Sequence, residues 1–132
     1  MSVLELRSVS RSYGHGAAEV SALSDVSMCV EAGELVAVMG PSGSGKSTLL
    51  TIAGTLEEAS AGAVLIDGVS VSTLSGDERA ALRRHRIGYV FQDFNLLSGL
   101  TAVENVSLPM ELDGQARSKA REVAMAVLDR LA

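Results

Sequence analysis

Apolar and polar positions change period several times along the chain, and each change marks an element. From Val3 to Val9 the pattern is that of a moderately amphipathic strand, its alternation interrupted by Leu4 and Leu6. A glycine-bearing loop, Tyr13 to Gly16, leads to a second, half-buried strand, in which Val26, Met28 and Val30 alternate with Asp25, Ser27 and Cys29 before Ala32-Gly33 turns the chain. Leu35-Val36-Ala37-Val38-Met39 is of another kind. A continuous apolar run with β-branched members is the pattern of a strand covered on both faces, as in a mainly parallel sheet with helices on either side. Lys46 to Ala53 then reads as a helix, with Leu49, Leu50, Ile52 and Ala53 apolar and Gly54 in the place of a C-terminal cap.

Further on, Val64 to Ile66 and Val69 to Val71 flank Asp67-Gly68, a favoured two-residue turn, and predict a hairpin. Gly76 to Arg86 predicts a short charged helix, Ile87 to Phe91 a compact apolar strand, and Gln92 to Gly99 a polar, leucine-bearing loop. Thr101-Ala102-Val103-Glu104 is a capping-box pattern opening a helix that Pro109 is expected to interrupt, with a break at Asp113-Gly114. In the last segment Ala116, Ala120, Val123, Ala124, Val127, Leu128 and Leu131 recur at helical spacing, and no stop signal follows. With no repeat and no linker, residues 1–132 read as one unit, an incomplete domain whose fold would continue.

Composition narrows the classes. The chain has 132 residues, 47% hydrophobic and 20% charged, so it is long enough for one core and is not disordered by composition. Aromatic residues make up 3%, so packing is aliphatic. A net charge of −5 argues against nonspecific nucleic-acid binding and makes any anion site local; the Arg83, Arg84, His85, Arg86 cluster reads as a solvated helix face. The apolar runs are far shorter than a membrane-spanning helix, and the start of the chain lacks a secretory signal, which implies a cytoplasmic setting. Cys29 is the single cysteine and is expected to be a small buried strand residue.

Between the Leu35–Met39 run and the first helix stands Gly40-Pro41-Ser42-Gly43-Ser44-Gly45-Lys46-Ser47, which fits G-x-x-x-x-G-K-[ST] at every fixed position; Thr48 adds a hydroxyl. Polyphosphate needs several backbone N–H donors converging on it, and Gly43 and Gly45 give the backbone the freedom to wrap that tightly. The helix beginning near Lys46 aims its unpaired N–H groups and dipole at the same oxygens. Lys46 adds a mobile full charge, and Ser47 offers a hydroxyl to Mg²⁺. An accidental glycine-rich turn is the competing reading, and an apolar run before and an apolar helix after argue against it.

This loop followed by Thr48-Leu49-Leu50, with Arg11-Ser12-Tyr13-Gly14 upstream and Ile87-Gly88-Tyr89-Val90-Phe91-Gln92 downstream, resembles the ATP-binding subunits of ABC transporters over the whole chain. The segments Asp93 to Leu97 and Leu100 to Val106 look most like the branch serving lipoprotein release, macrolide export and related permeases. The resemblance implies an α/β P-loop fold with an N-terminal antiparallel β part, a partial parallel core sheet and the start of a helical subdomain. It implies ATP and Mg²⁺ as ligands, Tyr13 stacking on the adenine, and Lys46 and Gln92 as catalytic groups. Gln92 would reach the metal and the attacking water, with Ser47 as the other metal ligand. Without the resemblance, a surface residue packing on the sheet is the competing reading of Tyr13. As partners it implies a transmembrane permease, met by the loop Asn95 to Leu100, and a second ATP-binding subunit, at the inner face of the membrane and without nucleic acid. Leu96, Leu97 and Leu100 could instead bury under their own loop.

Departures from the family pattern matter as much. Leu74-Ser75-Gly76 and Leu97-Ser98-Gly99 imitate the first half of the Leu-Ser-Gly-Gly-Gln signature and do not continue it. Ala63 to Asp67 imitates the metal-binding Walker B strand, yet Gly68 stands where a catalytic glutamate belongs. This chain by itself is therefore expected to bind nucleotide and turn it over poorly. A binding module without hydrolysis, a different P-loop enzyme in which Asp67 binds metal, and a nonfunctional remnant are the alternatives.

Overall fold

The computed structural model describes all residues from Met1 to Ala132, in two compact units, Met1–Arg83 and Arg84–Ala132. In the first, strands β1 (Ser2–Tyr13), β2 (Val20–Glu31), β3 (Ala61–Ile66) and β4 (Val69–Ser70) form an antiparallel sheet in the order β2-β1-β3-β4. β1 is central, with Leu6 opposite Met28 on β2 and Val64 on β3. The broken alternation at its start has a local cause. Ser8 lies in the left-handed region (φ 48°) where the register shifts against both neighbours, so Leu6 and Val9, three residues apart, reach the same core.

Helix α1 (Lys46–Ala53) seats Leu49 and Ile52 against Leu6, Val9, Leu23 and Val64. Gly54 closes it as expected, but with φ −77°; the left-handed turn falls on Thr55 (φ 58°), a β-branched residue that this region disfavours. Arg83 donates to the Thr55 carbonyl at 3.1 Å. The hairpin between β3 and β4 turns at Asp67 (φ 48°) and Gly68 (φ 79°), the paired left-handed conformations of an Asp-Gly turn. Cys29 is exposed, against expectation, because the pleat that turns Met28 and Val30 inward turns it out. Helix α2 (Gly76–Arg86) keeps its predicted bounds and opens on a reciprocal pair, Ser75 N–H to Glu78 and Glu78 N–H to Ser75.

Neither of the two predicted apolar strands, Leu35 to Met39 and Ile87 to Phe91, forms. Leu35 to Met39 has no ladder on either side, with Leu35 97% and Met39 88% exposed, and only Val38 packs on the core. Ile87 to Phe91, in the second unit, likewise lacks strand structure, and Val90 is exposed while the Tyr89 and Phe91 rings lean together. The partial parallel core sheet is thus not formed by this chain. An apolar run supplies a reason to be covered but not the neighbouring N–H and C=O groups that make a strand.

In the second unit, α3 (Ala102–Leu112) packs on α4 (Arg117–Leu131) through small residues, with Ser107, Ala120 and Ala124 fully buried. Pro109 does not interrupt α3, as expected of it, although an interior proline costs about 3 kcal/mol. The capping box at Thr101 and Glu104 fixes the start of the helix, and the packed face on α4 carries it past the lost N–H. Glu104 is also the common partner of Arg117 and Arg121 on α4. No helix is long and apolar enough to cross a membrane.

Candidate functional site

The loop from Gly40 to Gly45 leaves the core at Val38 and re-enters it at Leu49, so both its ends are fixed by packing. Gly45 is the residue before α1 and holds φ 94°, ψ 6°. A side chain there would be strained, and its Cβ would meet the Ala22 carbonyl and come within 3.1 Å of Leu23 Cδ2. Gly43 (φ 80°) is also left-handed, and a Cβ on Gly40 would fall 2.7 Å from Ser44 Oγ. No side chain caps α1. Its first-turn N–H groups, at Lys46, Ser47 and Thr48, point into the loop with the positive end of the helix dipole.

Lys46 folds back over the loop. Its ammonium donates to the carbonyls of Gly40 at 2.6 Å and Pro41 at 2.7 Å, and to Ser44 Oγ at 3.3 Å. Ser44 N–H closes the turn on the Pro41 carbonyl at 3.2 Å. The arrangement is a ring of backbone with amides on the helix side and one mobile cation across it, and Ser47, the second residue of the helix, is exposed. Such a ring can hold an anion with several oxygens.

Tyr13 ends β1 and is not simply packed on the sheet. Its hydroxyl donates to Glu57 Oε2 at 2.8 Å, and the Arg11 guanidinium lies over its ring, 4.6 Å from the centroid. Arg11 in turn donates to Glu57 Oε1 at 2.6 Å, and the Thr51 hydroxyl on α1, which donates to the Thr48 carbonyl at 2.9 Å, reaches Oε2 as a longer, shared contact at 3.4 Å. Burial pushes the Glu57 carboxyl up, but the hydrogen bonds from Tyr13, Arg11 and Thr51 and the Arg11 charge together hold it below the usual carboxylate range.

Gln92 lies in the second unit, exposed, in a bend after the unpaired Ile87–Phe91 segment. The structure thus gathers Gly40 to Thr48 into one site and puts Tyr13 in the same unit, while Gln92 belongs to the other unit. Beyond Gln92, Phe94 (94%), Leu96 (66%) and Leu97 (52%) are exposed and only Leu100 is half-buried, so Leu96 and Leu97 do not bury under their own loop. Asn105 latches this loop: it accepts from Leu97 N–H at 2.8 Å and donates to the carbonyls of Leu97, Leu100 and Thr101.

The family model described as ABC transporter matches residues 23–132. The chain belongs to the ABC transporter family. The macrolide export ATP-binding/permease protein MacB of Neisseria gonorrhoeae is 47% identical over 121 residues, covering 89% of this chain and 19% of that protein. MacB of Aggregatibacter actinomycetemcomitans is 43% identical over 131 residues, 99% of this chain and 20% of that protein. Among solved structures, the post-hydrolysis dimer of the ATP-binding cassette MJ0796 bound to ADP and Pi matches with a TM-score of 0.87 at 40% identity, over 96% of this chain and 56% of that one. The fold is therefore that of an ABC ATP-binding cassette, and the chain spans 19–20% of these MacB relatives and 56% of the MJ0796 chain.

Within this ABC transporter chain, three residues around Tyr13 are not marked as site residues by the sequence pattern: Arg11, Thr51 and Glu57. Arg11 shares a strand face with Tyr13 two residues away, a signal that was there to be used. Glu57 and Thr51 lie 44 and 38 residues further on, and only the pairing of β1 with β3 and the docking of α1 bring them in. Asp67, the residue of the Walker B imitation, sits in the hairpin turn.

Proposed function

We propose that this chain binds MgATP through Gly40 to Thr48 and acts as the N-terminal part, residues 1–132, of the ATP-binding, energy-coupling domain of an ABC transporter. The observation that carries the proposal is the loop geometry: left-handed Gly45 directly before an uncapped helix, with the Lys46 ammonium poised across the ring. The amides of Lys46, Ser47 and Thr48 receive phosphate oxygens, and Lys46 exchanges its two carbonyl partners for the terminal phosphates. Ser47, with Gln92, supplies the oxygen ligands for Mg²⁺, which when bound neutralises charge on the phosphate oxygens. Tyr13 stacks on the adenine, and Lys46 and Gln92 are the catalytic groups of this chain.

The chain works at the cytoplasmic face of a membrane against a transmembrane permease and a second ATP-binding subunit. The exposed Phe94, Leu96 and Leu97, on a loop held by Asn105, are a suitable apolar surface for the permease. Taken alone, the chain binds nucleotide without efficient hydrolysis, a reading favoured by Asp67-Gly68 serving as a hairpin turn. Titration calorimetry with MgATP tests the proposal: saturable binding by the chain, at least tenfold weaker in Lys46→Ala, is the expected result. Equal affinity in the two proteins would refute it.

A further inference from the structure

The geometry points to Glu57 as a positioning residue for the nucleotide base: with Arg11 it clamps the Tyr13 ring and ties it to the helix that begins at the phosphate loop. The inference rests on the reading that Tyr13 stacks on adenine. A tyrosine at the end of an antiparallel strand, 38% exposed, is free to turn about its side-chain bonds unless something holds it. Here three contacts close a triangle: Tyr13 Oη to Glu57 Oε2 (2.8 Å), Arg11 to Glu57 Oε1 (2.6 Å), and Arg11 over the ring at 4.6 Å. Arg11 takes one face of the ring, so an adenine would stack on the other.

The fourth contact makes the triangle a register. Glu57 follows α1 directly, its N–H donating to the Thr51 carbonyl at 3.3 Å, while the Thr51 hydroxyl, which donates to the Thr48 carbonyl at 2.9 Å, shares that proton with the Glu57 carboxylate at 3.4 Å. Thr51 lies on the helix whose first residue is Lys46. One carboxylate thus sets the base platform relative to the phosphate-binding turn, so that both ends of one nucleotide can be met at once. Both carboxylate oxygens are engaged by protein groups, so the contribution of Glu57 passes through Tyr13 and not through direct contact with ligand.

The test compares Mg²⁺-ATP with Mg²⁺-triphosphate, which lacks the base, by calorimetry on the full chain and its variants. Tyr13→Ala and Glu57→Ala are each expected to weaken ATP about tenfold and leave triphosphate within about twofold, and the double variant to be no worse than Tyr13→Ala. Tyr13→Phe, which keeps the ring and removes only the hydroxyl held by Glu57, is expected to lose about threefold for ATP alone. Glu57→Gln, which retains an acceptor for Tyr13, should recover part of the loss and guards against a misfolded Glu57→Ala. Parallel losses for ATP and triphosphate in Glu57→Gln and Tyr13→Phe, or additive losses in the double variant, would make Glu57 a merely structural anchor and overturn the inference. If Tyr13→Ala weakens ATP alone while the Glu57 variants and Tyr13→Phe change nothing, the clamp fails and the stacking stands. If Tyr13→Ala leaves ATP untouched, the stacking reading falls and the clamp with it.

Discussion

β1 and the Leu35–Met39 run lie in the same unit and are both rich in aliphatic residues, yet one buries Leu6 and Val9 almost completely while the other leaves Leu35 and Met39 almost bare. The difference is pairing. β1 has β2 on one side and β3 on the other, so its backbone groups are satisfied and its inward face has a core to reach. The Leu35–Met39 run has the stronger hydrophobic pattern and no ladder. Hydrophobicity states a demand for cover, and only a partner strand turns that demand into structure.

This contrast can be broken most sharply in the core. Leu6→Ala should cost about 3 kcal/mol in chemical denaturation, as a fully buried leucine replaced by a cavity, whereas Leu35→Ala should change stability by less than about 0.5 kcal/mol. Equal costs would mean that the run is covered after all. Gly45→Ala tests the hinge between the run and α1: a left-handed backbone and contact with the Ala22 carbonyl predict a loss of about 1–2 kcal/mol together with weakened nucleotide binding. In the second unit, Thr101→Ala should cost about 1 kcal/mol by removing the acceptor for Glu104 N–H, with the helical circular-dichroism signal of α3 declining accordingly.

The smallest expected effect is one of pH. The Glu57 carboxyl is held below its ordinary range in the folded chain, so the stabilisation it brings is fully present above about pH 4.5 and is lost as pH falls through its folded value. Melting temperatures taken through that window should therefore drop more steeply for the natural chain than for Glu57→Gln. Parallel profiles would show that the clamp around Tyr13 adds nothing to stability.

What the sequence displayed was mostly local. The helices at Lys46–Ala53 and Gly76–Arg86 were readable to their ends because helix signals, apolar spacing and first-turn chemistry, lie within the segment itself. The Asp67-Gly68 hairpin and the Thr101 capping box are equally local, and the glycine pattern of the loop carries its left-handed backbone within the segment itself. What remained hidden depends on distant residues: the bulge at Ser8 that rephases β1, the exposure of Cys29, the missing partners of Leu35–Met39 and Ile87–Phe91, and Glu57 beside Tyr13. Pro109 shows the reverse case, a strong local signal overruled by packing on α4.

The most direct test of the central claim, that the Gly40–Thr48 ring receives the phosphates of MgATP, follows backbone amide resonances during titration. The account predicts saturable shifts concentrated at Gly43, Gly45, Lys46, Ser47 and Thr48, with the same affinity that calorimetry gives. Shifts centred elsewhere while these amides stay unmoved at saturating MgATP would contradict it.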